Sequence, residues 1–158
     1  RRTFEQVVDD YAQIYAVNVY SNRVWSWKKN LPGNLKSRKM RKQIKTRAQE
    51  LGLIPAVRVT KQDGMRFGTA DFESAHLVRL RAQLPESMWK MDNWKQFVWL
   101  DAQIGGRPQG YTWHHSAVPG KMELVPFGIH NITAHNGGRT RGQWVDFTSW
   151  GGIIVCCI

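Results

Sequence analysis

Four of the five histidines in this chain of 158 residues fall between positions 114 and 135, as His114, His115, His130 and His135. Imidazole changes charge near neutral pH and, when neutral, offers a nitrogen lone pair to a divalent metal. Adjacent residues of a strand point to opposite faces, so His114 and His115 cannot do the same job in the same direction without a bend. A division of labour follows. One imidazole can ligate a divalent metal beside His130, and the other stays free to deprotonate water. A bound metal would stabilise the charge that builds on a phosphate and its leaving oxygen. Both elements of phosphodiester hydrolysis would then be present. Taken singly, each histidine has the alternative of a hydrogen-bonded structural role. Four in one short stretch favour a metal site, and His76, outside it, reads as structural.

These side chains need a scaffold. Tyr111 to His115 reads as a strand, Pro119-Gly120 as a turn and Met122 to Val125 as a returning strand. Pro126 can open a helix that Asn136-Gly137-Gly138 would close. The product is a β-turn-β-α unit with histidines on its first strand and its helix. Five residues of ideal helix turn through about 140°. His130 and His135 therefore share a site only if the helix ends before His135; otherwise His135 binds phosphate or orients another group.

Upstream, Thr3 and Gln6 form a capping box ahead of Phe4, Val7, Val8, Tyr11, Ile14 and Tyr15 at helical spacing. From Ser21 to Leu35 turn formers outweigh any period. A second helix is expected from Ser37 to Gly52, its Met40, Ile44, Ala48 and Leu51 packed beneath a face that includes Lys36, Lys39, Lys42 and Lys45. Val57 to Thr60 and Met65 to Gly68 flank Lys61-Gln62-Asp63-Gly64 as a hairpin. His76 to Arg81 is a weaker strand, and Asp92 caps a helix that carries Trp94, Phe97 and Val98 and ends at Gly105-Gly106. The fold class is α+β, as a single domain over residues 1–158: a helical and hairpin region at 1–69, then 70–158 around the histidine unit.

Lysine and arginine outnumber the acids 23 to 12, for a net charge of +11 and a pI near 10.1. Such a surface attracts phosphate backbones or anionic lipid, or serves solubility alone. A hydrophobic content of 42% with eight tryptophans excludes a disordered segment. No run approaches the ~20 apolar residues that span a bilayer. The chain opens on Arg1-Arg2-Thr3 with neither an initiator methionine nor the apolar core of a signal peptide, and is expected to be a piece of a longer protein. Cys156 and Cys157 are adjacent, so a mutual bridge would be strained, and they read as incidental. The apolar tail from Trp150 to Ile158 matches no motif.

The segments Gly105-Gly106, Gly110-Tyr-Thr-Trp-His-His115, Gly120-Lys-Met-Glu-Leu-Val-Pro126, Ile129-His130 and His135-Asn-Gly-Gly138 resemble the HNH/endonuclease VII superfamily. The resemblance is to its colicin-type DNase/tRNase branch, which bears a Trp-His-His signature in bacterial polymorphic toxins; it extends more loosely back to Ala70. It implies a ββα-metal fold with one divalent metal ion, zinc, magnesium, manganese or nickel. His114, His130 and His135 would be the ligands and His115 the general base. Arg139 and Arg141 could clamp the scissile phosphate or equally be ordinary surface arginines, with Lys39 and Lys42 holding the backbone. Trp113 reads as core packing that fixes the strand ahead of a base-stacking platform, and Glu123 is metal-binding, outer to the metal or solvent-facing.

By the same resemblance the chain is a toxin domain, delivered as part of a larger secreted protein and acting on DNA in the cytoplasm of a competing cell. RNA, tRNA in particular, is the alternative substrate. A basic nucleic-acid-binding module with a structural zinc is the alternative of another class. A dedicated, acidic immunity protein would be the partner.

Overall fold

The computed structural model describes residues 1–31, 37–62, 64–140 and 142–145, and its contacts group the chain into two units, Arg1–Ala56 and Val57–Ile158. Lys36, Asp63, Arg141, Cys156, Cys157 and the tail from Trp150 lie outside the described residues.

The first unit is helical. α1, Phe4–Tyr20, starts at the expected capping box: Gln6 N donates to Thr3 Oγ1, and Thr3 N donates to Gln6 Oε1. α3, Arg38–Glu50, starts at Ser37, whose hydroxyl accepts from Met40 N. The two pack through Ala12, Tyr15, Ala16 and Val19 against Ile44 and Ala48, all buried. Arg47 Nε pairs with Asp9 Oδ1 at 2.6 Å at the rim. Between them, where the sequence suggests only irregular chain, Ser26 caps a single helical turn, α2, Trp27–Asn30. The Trp27 ring stacks on Tyr15 at 5.0 Å, so tertiary contact fixes a turn too short for a periodic signal.

The second unit is the α+β part. Its three-stranded antiparallel sheet has the order β3 (Leu80–Gln83), β5 (Lys121–Pro126), β4 (Tyr111–His115). α4, Asn93–Gln103, is capped by Asp92 as expected. A core of Leu84, Leu100, Trp113, Met122 and Leu124 joins it to one sheet face. Trp113 is buried and donates from Nε1 to Asp101 Oδ1 at 2.8 Å. α5, Phe127–Ile132, follows β5 directly and contacts both β4 and β5. The sequence is thus an α+β fold with a ββα unit at its centre. Among the described residues, no helix is long and apolar enough to cross a membrane.

Three boundaries differ from the sequence reading. The hairpin strands are β1, Arg58–Thr60, and β2, Thr69–Asp71, so the second strand lies beyond Met65–Gly68. That stretch is drawn off by Asn136, whose Oδ1 accepts from Phe67 N and Gly68 N at 2.7 and 2.8 Å, and whose N donates to Gly68 O at 2.7 Å. β3 begins at Leu80, not His76, because His76 sits in a turn with φ of 58°. α5 ends at Ile132, before Asn136-Gly137-Gly138, because Thr133 turns extended and donates its hydroxyl to Ile129 O at 2.7 Å. Gly138 instead allows a close approach: its N donates to His115 O, and a Cβ there would lie 3.0 Å from His115 Cβ.

Candidate active site

The β4–β5 ladder pairs Trp113 with Leu124, His114 with Glu123 and His115 with Met122. Residues directly opposite in a ladder share a face. Trp113, His115, Met122 and Leu124 therefore line the core face under α4, while His114 and Glu123 line the other, against which α5 packs. The pleat separates the two neighbouring imidazoles as their alternation requires.

His114 meets His130 from α5 and His135 from just beyond it. One ring nitrogen of each lies within 4.8 Å of the others, and all three residues are buried. The early end of α5 makes this possible, since it frees His135 from the helical phase that would turn it away from His130. His135 Nδ1 donates to Thr133 O at 2.6 Å, which leaves the lone pair on Nε2. That Nε2 is buried and has no hydrogen-bond partner among the described residues. A histidine tied by one nitrogen to a carbonyl with the other nitrogen bare is the usual arrangement of a metal ligand.

Phe72 closes the cluster on its apolar side. Its ring lies 4.8 Å from His114 and 5.7 Å from both His130 and His135. Burial, followed by the neighbouring imidazoles, holds His114 well below the ordinary histidine range, and burial brings His130 down to about 3. His135 is lowered by burial, against its bond to Thr133. All three are thus neutral at pH 7 with lone pairs available, as a divalent cation requires.

His115, the last residue of β4, is not in this group of three nitrogens. It is 4% exposed, and its Nε2 lies 2.8 Å from Gln96 Oε1 of α4. Its ring packs near Phe97 and Trp144. Burial, then the positive charge of Arg139, then the repulsion that His130 adds once protonated lower its pKa to about 3.

Arg139 packs against α4 and the chain just before it. It is 5% exposed and donates to Asn93 Oδ1, to Met91 O at 2.8 Å and to Gln96 Oε1 at 2.9 Å, tying the segment after His135 to the start of α4. Lys39 and Lys42 are exposed on α3 of the first unit. Arg141 lies outside the described residues. Glu123 is 5% exposed and lines a cavity of about 340 Å³ with Asp71, Phe72, Glu73, Ser116 and Lys121. Burial pushes its carboxyl up, against the pull of Lys121.

Phe72 and Gln96 were not expected from sequence. An aromatic between two acids and a glutamine inside a helix carry no spacing signal, and only the fold reveals what they touch.

Residues 105–145 match the model of the WHH family, described as a nuclease of the HNH/ENDO VII superfamily with conserved WHH. The matched segment spans β4, β5, α5 and all four clustered histidines. No curated protein and no solved structure matches the chain.

Proposed function

We propose, starting from a chain that carries an HNH/endonuclease VII-type nuclease motif, that it is a metal-dependent endonuclease toxin domain hydrolysing DNA. The carrying observation is the buried set of His114, His130 and His135, whose ring nitrogens converge within 4.8 Å and whose His135 Nε2 has no protein partner. A site of three protein ligands is the composition of catalytic centres, in which a position stays open, whereas structural zinc takes four. That favours an enzyme over a binding module. An all-nitrogen set suits zinc or nickel better than magnesium or manganese.

When bound, the metal would stabilise negative charge on the phosphate and the leaving oxygen. His114, His130 and His135 hold it, and Phe72 excludes water from the apolar side of the ligands. His115 is the general base. Burial and Arg139 keep it unprotonated at neutral pH, the form a base must have before reaction, and the anionic substrate offsets the charge of Arg139 when the proton arrives. The net charge of +11 draws the phosphate backbone without reading sequence, with Lys39 and Lys42 as backbone contacts. In this reading the chain is delivered within a larger secreted toxin, acts in the cytoplasm of a competing cell and is neutralised in its producer by an acidic immunity protein.

Incubation of the chain with plasmid DNA and with total tRNA, across magnesium, manganese, nickel and zinc and with and without chelator, tests the proposal. DNA cleavage abolished by chelator and by H115A is expected. Cut tRNA beside intact DNA would move the substrate to RNA, and cleavage of neither with any metal would leave the binding module.

A further inference from the structure

We propose that Gln96 is the positioning residue of the general base: it fixes His115 as the Nε2–H tautomer, so that Nδ1 is the atom that takes the proton from water. The inference rests on the reading of His115 as the base. It adds the nitrogen that acts and a residue outside the matched segment that sets it.

Gln96 is fully buried on α4, and every bond of its amide is accounted for. Nε2 donates to Met88 O at 2.9 Å and to Trp89 O at 3.0 Å. Both partners are carbonyls, which only accept, so the amide nitrogen must face them. Oε1 is thereby turned to the other side, where it receives Arg139 Nη2 at 2.9 Å and His115 Nε2 at 2.8 Å. Arginine can only donate, which confirms the side on which the acceptor lies. An oxygen so placed accepts and does nothing else, so His115 Nε2 must carry the hydrogen. A neutral imidazole has one N–H. The lone pair is therefore on Nδ1.

A flipped ring is disfavoured for the same reason. Exchanging Nε2 with the ring carbon Cε1 would face Gln96 Oε1 with a C–H and forfeit a buried hydrogen bond. Nδ1 makes no hydrogen bond among the described residues. In the reaction the water O–H bond breaks and its proton passes to Nδ1. The oxygen takes the electron pair to phosphorus, and the P–O bond to the leaving oxygen breaks. The imidazolium keeps its Nε2–H on Gln96 throughout, so no bond to α4 has to break or re-form. α4 thus carries a glutamine whose polar atoms serve two backbone carbonyls, an arginine and one catalytic ring.

The test combines NMR with kinetics on the zinc-loaded chain. In protein labelled with ¹⁵N-histidine, His115 is expected as the Nε2–H tautomer with a bare Nδ1. Q96M keeps the volume but not the acceptor. It is expected to lower kcat on plasmid DNA or tRNA by about 10- to 100-fold, the usual effect of removing the outer partner of a site histidine, with KM and zinc affinity unchanged. Q96E keeps the acceptor oxygen towards His115 but sets its other oxygen against the Met88 and Trp89 carbonyls, and is expected to retain the Nε2–H tautomer and a kcat above that of Q96M. An Nδ1–H tautomer in the wild type, or a folded Q96M with wild-type kcat beside an inactive H115A, overturns the proposal. H115A cutting at the wild-type rate removes the base reading itself and this inference with it. Should Q96M fail to fold, the wild-type tautomer alone decides.

Discussion

His114 on β4 stands directly across the ladder from Glu123 on β5, and burial pushes the two in opposite senses, the imidazole down and the carboxyl up. Both groups are thereby driven towards their neutral forms, and a cation between the strands and α5 would relieve the carboxyl of that pressure.

Glu123 should therefore cost stability when no metal is bound. A carboxyl whose folded pKa is raised is tolerated below its unfolded value of 4.5 and becomes unfavourable as pH rises past it. Metal-free E123Q is expected to melt above the wild type at pH 7, with the gap closing near pH 4. Calorimetry at the two pH values checks this, and an unchanged gap would count against it.

The histidines set the opposite trend. Their folded pKa values lie below the unfolded value of 6.5, with His115 and His130 near 3, so the unfolded chain takes up protons that the folded chain refuses. Stability of the metal-free chain is expected to be level above pH 7 and to fall progressively from about pH 6.5 towards pH 3. Urea midpoints across that range measure it; a midpoint flat down to pH 4 would contradict the assigned burial.

Metal should stabilise the fold by mass action. Zinc at one hundred times its dissociation constant adds about 2.7 kcal/mol to a single site. The wild type is expected to melt higher with zinc and to return with chelator, while H114A and H130A show neither shift. A full zinc shift in H130A would remove that residue from the ligand set.

Trp113 and Trp94 offer a contrast in packing. Trp113 is 1% exposed and bonded to Asp101, whereas Trp94 is 72% exposed on the outer face of α4. W113A is expected to cost about 3–5 kcal/mol, and W94A within about 0.5 kcal/mol of nothing. Equilibrium denaturation of the two variants side by side is the check.

Substrate attraction should be electrostatic. Each phosphate contact contributes about 0.9 to the slope of log affinity against log salt on duplex DNA. K39A/K42A is expected to flatten that slope by up to about 2 while leaving kcat at saturating substrate intact, as filter binding at several salt concentrations and steady-state kinetics would show. An unaltered slope would take α3 out of the interface.

The fold was legible where local chemistry speaks for itself. The helices begin at the caps that Thr3, Ser37 and Asp92 announce, and the Tyr111–His115 strand shows in its own sequence. What sequence could not give was what distant residues do to one another. Asn136 reads as a helix stop, yet its side chain is spent on Phe67 and Gly68, which moves β2 away from the Asp-Gly turn. Arg139 reads as either a phosphate clamp or an ordinary surface arginine, and the fold buries it with donors on Met91, Asn93 and Gln96. Gln96 has no period to announce it. In each case the deciding partner lies tens of residues away.

The three bonds between Asn136 and the Phe67–Gly68 backbone also bear on where the histidine unit could be cut out for transplantation or minimisation. A fragment restricted to 105–145 would retain His114, His130 and His135 but lose the strap that anchors the chain immediately after His135, along with the Phe72 wall and Gln96. The matched segment thus draws on residues outside itself. A fragment that keeps those partners has to reach back to Phe67 and Phe72, and chimaeras that graft only 105–145 are expected to hold the three histidines less well than the whole unit.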